Sequence, residues 1–177
     1  MENYDYSSCG AYFITICTQN RQSVLSRIVG GDVLDAPQSD VLEDLSVELL
    51  PCGKIAEKYI NQLSDFYNGL SVERYVIMPN HIHMLLFVKP TENDIFETEL
   101  LSEEGASRTS PPTRQHSTVS RFVSTFKRFC NKEYGTNIWQ RYYHDHIIRN
   151  QKDYEEHVNY ILLNPTRWYY DELYVEE

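Results

Sequence analysis

The sequence predicts an α+β fold in which helices pack on an antiparallel sheet. Strand-like and helix-like segments alternate along the chain in the order β-α-β-β-α-β-α. Two strongly strand-forming segments, 70–77 and 81–88, are separated only by the break at Met78-Pro79-Asn80. This order, with no internal repeat beyond it, fits a ferredoxin-like antiparallel sheet backed by helices.

Local patterns give the individual elements. Helices are indicated where apolar residues recur three or four apart, and strands where they alternate or run continuously. Breakers mark the boundaries, as at Leu50-Pro51, Asn68-Gly69 and Gly135. The predicted order is a strand at 10–18, a hairpin with a mobile loop within 21–50, a helix from Leu50 to about Tyr67, strands at 70–77 and 81–88, a helix from Ser117 to Tyr134, extended chain at 138–149 and a helix from Gln151 to Leu163.

Length and composition bound the class of protein. A chain of 177 residues is long enough for one domain with a proper core. We expect a single domain over 1–177, with variable insertions near 20–50 and 90–115. No run approaches the roughly eighteen apolar residues of a membrane helix, and the start lacks the basic and apolar regions of a signal peptide, so no membrane partner is expected. The four cysteines lack paired metal-ligand spacing, which favours free thiols in the cytoplasm.

The strand-like run that begins at His81 carries the most informative pair of residues. Side chains in a strand alternate between faces, so His81 and His83 project together while Ile82 points the opposite way. Apolar residues of both parities follow, which predicts a central and largely buried strand. Two imidazoles held side by side there make half of a divalent-metal site.

The last predicted helix supplies the second half of the candidate site. Its apolar flank is formed by Val158, Ile161 and Leu162. Residues four apart stack on one helical face, so Tyr160 and Asn164 project side by side. A tyrosine hydroxyl beside an amide oxygen suits a nucleophile next to a third metal ligand. An oxygen ligand added to two histidines favours a hard or borderline ion such as Mg or Mn.

Several motifs in this order resemble those of the single-tyrosine HUH transposases, most closely the REP-associated tyrosine transposase branch. The resemblance covers roughly residues 10 to 166, and its strength lies in the order and spacing of the motifs, because His-x-His alone is weak. The matching segments are Tyr12–Thr18, Met78-Pro79-Asn80-His81-Ile82-His83, Ile138-Trp139-Gln140, His146-Ile147-Ile148-Arg149, and Tyr160-Ile161 followed by Asn164-Pro165.

The resemblance implies a reaction and a substrate. It implies that Tyr160 attacks a scissile phosphate of single-stranded DNA near a hairpin and leaves a 5′-phosphotyrosine and a free 3′-hydroxyl. The reverse attack rejoins strands without ATP. It also implies that His81, His83 and Asn164 hold one divalent ion, Mg or Mn, which neutralises charge in the transition state. Either a monomer or a homodimer is compatible with this reading, because some relatives exchange the tyrosine helix between subunits.

The charge distribution bears on nucleic-acid binding. A net charge of −10 argues against it, but residues 108–152 contain nine basic side chains and only two acidic ones. Aromatic residues lie between them, as suits phosphate contact and base stacking. We expect DNA contacts from Arg121, Lys127, Arg128, Arg141 and Arg149.

Each site assignment has a simpler alternative. The histidine pair could be polar residues on an exposed strand face, Tyr160 a packing residue among 14 tyrosines, and Asn164 a helix cap before Pro165. His157 lies on the same helical face as Tyr160 and could act behind the metal ligands or face solvent. His144 and His146 form a competing His-x-His pair, but Asp145 between them would then point to the core. His146 alone could line the cleft.

Three other functions remain open at the level of sequence. One is a related HUH nickase, such as a replication initiator or relaxase, although those usually carry three histidines or two tyrosines. Another is a domesticated module that binds hairpin DNA or RNA without cutting it. The third is a metal-dependent phosphodiesterase that leaves no covalent adduct. The acidic tail 171–177 could shield the site or bind a partner.

Overall fold

A computed structural model describes residues 10–30, 45–89 and 118–175. The predicted insertion at 90–115 therefore lies outside the described residues, as do Arg108, Arg114 and the loop at 31–44. The described strands and helices are β1 (Gly10–Cys17), β2 (Ser26–Val29), β3 (Ser46–Leu49), α1 (Pro51–Phe66), β4 (Leu70–Ile77), β5 (His81–Val88), α2 (Thr118–Tyr134), β6 (His144–Ile148) and α3 (Gln151–Leu163), followed by a 3-10 helix at Pro165–Tyr170.

Four strands form one antiparallel sheet in the order β4-β5-β1-β6. Apart from the small β2–β3 hairpin, the chain visits these strands and their helices in the ferredoxin-like order, so the predicted fold class is confirmed. The register places Thr15 opposite His83 on one side of β1 and opposite His144 on the other. Thr15 of β1 therefore lies between His83 of β5 and His144 of β6 in the sheet.

The two faces of the sheet are covered by different helices. Even-numbered side chains of β1 and β5, such as Ile14 and Met84, are fully buried in the cluster that also contains the apolar residues of α1 and α2. Odd-numbered ones, Phe13 and Leu85, pack instead with Ile161 of α3. Burying each such side chain contributes about 1.5–3 kcal/mol. The alternation therefore puts α2 on one face and the odd-numbered histidines of β5 on the other.

The connection between β4 and β5 is fixed by backbone hydrogen bonds that also anchor β1 and the hairpin. The amide of Met78 donates to the carbonyl of His81, and the amide of Thr18 donates to that of Asn80. The amide of Leu25 donates to the carbonyl of Pro79 at 3.0 Å. These bonds hold the start of β5, which is His81, against the end of β1.

Two local expectations need correction. Leu162 does not belong to the buried flank of α3, since it is 56% exposed. The extended segment predicted at 138–149 forms a strand only at its end, as β6. Its first part is held by an isolated bridge between Thr18 and the buried Trp139. Among the described residues, no helix is both long and apolar enough to cross a membrane.

Candidate active site

His81 and His83 lie side by side on the face of the sheet that α3 covers. Their ring centroids are 4.4 Å apart, and their exposed fractions are 0% and 3%. A polar neighbour approaches the Nδ1 atom of each ring at 2.8 Å, Asn80 Oδ1 for His81 and Thr15 Oγ1 for His83. The Nε2 atom of each ring is buried and has no hydrogen-bond partner within the described part of the chain.

Both histidines are neutral at ordinary pH. Burial lowers the pKa of His81 to about 3, helped by the nearby charge of Arg21. Burial also lowers the pKa of His83 to about 3, and the neighbouring His81 adds to this shift. Since Asn80 Oδ1 can only accept, Nδ1 of His81 carries the proton and its Nε2 lone pair is free. A neutral imidazole with a free nitrogen is the form that binds a metal.

Helix α3 places Tyr160 and Asn164 over this pair. The Tyr160 ring packs edge-on against His83, with centroids 5.1 Å apart, and lies 5.9 Å from Phe13. Tyr160 is 43% exposed, whereas Asn164 one turn later is 2% exposed. The Oδ1 atom of Asn164 is, like the two Nε2 atoms, buried without a hydrogen-bond partner.

Three buried polar atoms without hydrogen-bond partners among the described residues therefore belong to the residues predicted as metal ligands. Each unmade hydrogen bond costs about 1–3 kcal/mol, so such a group of atoms indicates a function. Two imidazole nitrogens and an amide oxygen fit a borderline divalent cation. The donor set thus fits the metal that the sequence predicts.

The sequence analysis named Asp171 only as part of the acidic tail that could shield the site, and the structure places this residue against Tyr160 and Asn164. Its Oδ2 atom accepts hydrogen bonds from the Tyr160 hydroxyl at 3.2 Å and from Asn164 Nδ2 at 2.9 Å. A carboxylate oxygen of Asp171 and the ring nitrogens of His81 and His83 lie within 4.8 Å of one another, so it could add a carboxylate ligand. The 3-10 helix after α3 turns the chain back over the site, a non-local path that residue spacing does not reveal.

The surroundings of Tyr160 oppose its ionisation. Burial, the negative charge of Asp171 and the hydrogen bond to that carboxylate raise the pKa of Tyr160 to about 12, partly offset by Asn164.

Residues after Asp171 are held in place from two sides. Arg21 Nη1 donates to the carbonyl of Glu172 at 3.0 Å, and Asn80 Nδ2 donates to that of Leu173 at 2.7 Å.

The other two predicted histidines form a cluster with Asp153. His146 Nε2 lies 2.9 Å from Asp153 Oδ1, and His157 Nδ1 lies 3.1 Å from the same oxygen. The two rings stack with centroids 4.7 Å apart and an interplanar angle of 15°. The competing pair is not assembled as one unit, because His146 turns to Asp153 while His144 lines the cleft in front of Tyr160. His144 is among the residues that line this cleft, and His146, which was expected there, is not.

Two cavities meet at Tyr160. The larger has a volume of about 580 Å³ and contains His83, His157 and Arg21 in its wall. The second, of about 480 Å³, is bounded by Asn164, Arg167 and Tyr170, and Tyr160 and Asp171 line both. The nucleophile candidate is therefore open to solvent-filled space on two sides. Arg21 and Arg167 were not identified from the sequence, because each lies outside the basic stretch chosen for its local density.

The predicted DNA-contact residues lie on α2 and on either side of β6. Arg121, Lys127 and Arg128 lie on α2, across the sheet from His83. Lys127 does not offer its ammonium group to a ligand, since it donates to the carbonyls of residues 140 and 142 at 2.8 and 3.0 Å, and burial lowers its pKa to about 8. Arg141 and Arg149 are exposed at either side of β6. Lys127 Nζ also lies 3.4 Å from the carbonyl oxygen of Arg141, so Arg141 is next to α2. DNA contact by the five residues stays a prediction.

Comparison with known proteins gives relatives along the whole chain, although no family model matches it. An uncharacterised protein of Haemophilus influenzae is 30% identical over 99% of this chain and 91% of its own length. A second H. influenzae protein, the "Putative REP-associated tyrosine transposase", is 28% identical over 98% of this chain and 81% of its own. The REP-associated tyrosine transposase of Escherichia coli is 29% identical over 54% of this chain and 44% of its own length.

A solved structure shares the fold. It is a REP-associated tyrosine transposase bound to a REP hairpin, with a TM-score of 0.57 and 20% identity, and the match covers 97% of this chain and 76% of that one. Agreement of the fold, of the named relatives and of the His-x-His and Tyr/Asn motifs leads to one assignment. The chain belongs to the REP-associated tyrosine transposase family of HUH transposases.

Proposed function

We propose that this transposase cleaves and rejoins single-stranded DNA near hairpins through a 5′-phosphotyrosine intermediate on Tyr160. The observation that carries the proposal is the group of three buried atoms without hydrogen-bond partners: Nε2 of His81, Nε2 of His83 and Oδ1 of Asn164. Tyr160 packs on the ring of His83 and shares the carboxylate oxygen of Asp171 with Asn164. A protein that only bound DNA would gain nothing from leaving these atoms unpaired beside an exposed tyrosine.

His81, His83 and Asn164 would hold one divalent ion, Mg or Mn, with Asp171 as a further oxygen close by. When bound, the ion supplies Lewis-acid polarisation of the scissile phosphate and neutralises developing negative charge. The protein's own contribution is to keep both imidazoles neutral and to fix each ring through its Nδ1 atom. Tyr160 is held on a helix, and its hydroxyl lies where both cavities meet.

The substrate we propose is hairpin-bearing single-stranded DNA. The related structure is of a transposase in complex with a REP hairpin. In this chain the two cavities on either side of Tyr160 offer a path for a strand across the nucleophile, with Arg21 in one and Arg167 in the other. These arginines supply positive charge for phosphate contact in walls that also contain the acidic residues Glu156, Asp171 and Glu172.

We further propose that the protein acts in the cytoplasm, as a monomer or homodimer. The described cysteines Cys17, Cys52 and Cys130 are all buried free thiols, as suits a reducing compartment.

The direct test is incubation of end-labelled DNA hairpins with the protein and Mn or Mg, followed by a denaturing gel. The wild type should give a slowly migrating protein–DNA adduct that Tyr160→Phe loses. Tyr142→Phe is the matched control and should keep the adduct, since Tyr142 is 73% exposed and does not line either cavity. Cleavage without an adduct would favour the phosphodiesterase, and hairpin binding without cleavage would favour the binding module.

A further inference from the structure

We propose that His157, oriented by Asp153, donates the proton that the 3′-oxygen needs when it leaves the scissile phosphate. In the joining step the same nitrogen would take the proton back from the attacking 3′-hydroxyl. The inference rests on the proposed phosphotyrosine chemistry and adds a second catalytic side chain to it.

The His157 ring is held on both faces and at one nitrogen. Phe13 packs on one side with centroids 4.6 Å apart, and His146 stacks on it at 4.7 Å. Its Nδ1 atom lies 2.8 Å from the backbone carbonyl of Asp153 and 3.1 Å from Oδ1 of the same residue. Both of these oxygens are hydrogen-bond acceptors, so Nδ1 carries a proton and donates to them, and Nε2 is the nitrogen available to a substrate. A packing histidine would not need this degree of fixation.

The position of His157 relative to the nucleophile suits the role. It lies one helical turn before Tyr160 on α3, so the two side chains share a face of the helix. Both contact Phe13, and both line the cavity of about 580 Å³ that a DNA strand would enter. A strand passing over Tyr160 would therefore pass His157 within that cavity.

Asp153 supplies a carboxylate partner for the His157 ring. Asp153 accepts a hydrogen bond from the backbone amide of Arg149, and this bond, together with His146, holds the pKa of its carboxyl below the usual range. The carboxylate thus remains ionised and stabilises an imidazolium next to it, as in other His–Asp pairs. The titratable and charged groups that face His157 or share its cavity are Arg21, His83, His144, His146, Asp153, Glu156, Tyr160, Asp171 and Glu172.

The proposed step balances in atoms and electrons. The Tyr160 oxygen, whose proton passes to bulk water, forms a bond to phosphorus while the bond between phosphorus and O3′ breaks. The electron pair of that bond stays on O3′, which takes the proton from Nε2 of His157. An alkoxide is a much more basic leaving group than a phenolate, so protonation of O3′ is where acid catalysis gains most, by about 10²–10⁴-fold.

A substrate with sulfur in place of the bridging 3′-oxygen tests the proposal, because a thiolate leaves without protonation. His157→Ala should slow cleavage of ordinary DNA by about 10²–10⁴-fold and leave cleavage of the sulfur-bridged DNA close to wild type. Tyr160→Phe should abolish both. Hairpin affinity and circular dichroism of His157→Ala should match wild type, which separates loss of catalysis from loss of fold.

A positioning role for Asp153 has its own readout. Asp153→Asn removes the carboxylate that orients the His157 ring, so it should slow cleavage of ordinary DNA and leave cleavage of the sulfur-bridged DNA close to wild type, as His157→Ala does. If His157→Ala slows both substrates equally, His157 is not the proton donor and the inference is overturned. If the wild type forms no adduct with either substrate, the proposed function itself fails, and this inference with it.

Discussion

The Asp171 carboxylate accepts a hydrogen bond from the Tyr160 hydroxyl at 3.2 Å, so the residue that would attack DNA is tied to the segment that follows its own helix. The same oxygen binds the Asn164 amide at 2.9 Å. One carboxylate thereby fixes both residues that α3 contributes to the site. It also makes the phenol a weaker acid, because its negative charge opposes that of a phenolate.

The first prediction concerns this pair. Asp171→Asn should lower the pKa of Tyr160 from about 12 toward the usual value near 10, because the amide carries no charge. The measurement is an NMR titration of ring-labelled tyrosine, with the Tyr160 signal assigned by its loss in Tyr160→Phe. Glu172→Gln is the control, since Glu172 contributes least to the shift and its removal should change the pKa less. An unchanged pKa in Asp171→Asn would contradict the account of the site's electrostatics.

The second prediction concerns stability and pH. His81 and His83 have a pKa of about 3 in the folded protein and about 6.5 when unfolded, so the unfolded chain binds more protons between these values. Their contribution to stability is therefore full above pH of about 6.5 and is lost progressively as the pH falls toward 3. Denaturant titrations at several pH values should show a shallower pH slope for His83→Gln than for wild type. Equal slopes would mean that the imidazole is not neutral in the fold.

The third prediction concerns DNA contacts. Arg21 and Arg167 line the two cavities at Tyr160, whereas Arg128 lies on α2 across the sheet. Replacing Arg21 or Arg167 with alanine should weaken binding of all hairpins about equally and reduce the slope of log affinity against log salt by about one. Arg128→Ala serves as the matched control and should keep the wild-type slope. A reduced slope in Arg128→Ala alone would place the DNA on the α2 face.

A fourth prediction concerns the packing of α1. A Cβ atom added at Gly53 would lie 2.0 Å from the carbonyl oxygen of Leu25, in the segment that leads into β2. Gly53→Ala should therefore reduce the free energy of unfolding by at least about 1–3 kcal/mol, the range typical of overpacking. Denaturant titration of the variant and the wild type measures this change. At Gly135 an added Cβ meets nothing within 4 Å, and only its φ of +88° opposes substitution, so Gly135→Ala should cost about 1–2 kcal/mol. A cost at Gly53 below that at Gly135 would argue against the close approach.

Much of this architecture could be predicted because the signals are local. The strand at 81–88 has the bounds that its residues indicated, and the alternation of side chains brings His81 and His83 together. The 3.6-residue period of α3 likewise sets Tyr160 beside Asn164. In each case the geometry of a single strand or helix determines which side chains lie together.

The features that were not predicted from the sequence depend on contacts between distant parts of the chain. Asp171 reaches Tyr160 only because the 3-10 helix reverses the chain, and nothing in the composition of an acidic tail predicts that reversal. Lys127 sits in a basic stretch but is drawn to the carbonyls of residues 140–142, since the cost of burying its charge is offset by these hydrogen bonds. Which face of the sheet a helix covers is likewise a property of the topology and not of the helix sequence.

The central claim is that Tyr160 forms the covalent bond to DNA. The most direct test is to trap the adduct on a hairpin substrate with Mn, trim the DNA with nuclease, digest the protein and identify the nucleotide-bearing peptide by mass spectrometry. The account predicts a nucleotide attached through its 5′-phosphate to Tyr160. Attachment to Tyr142, Tyr154 or another tyrosine, or cleavage with no modified peptide, would contradict it.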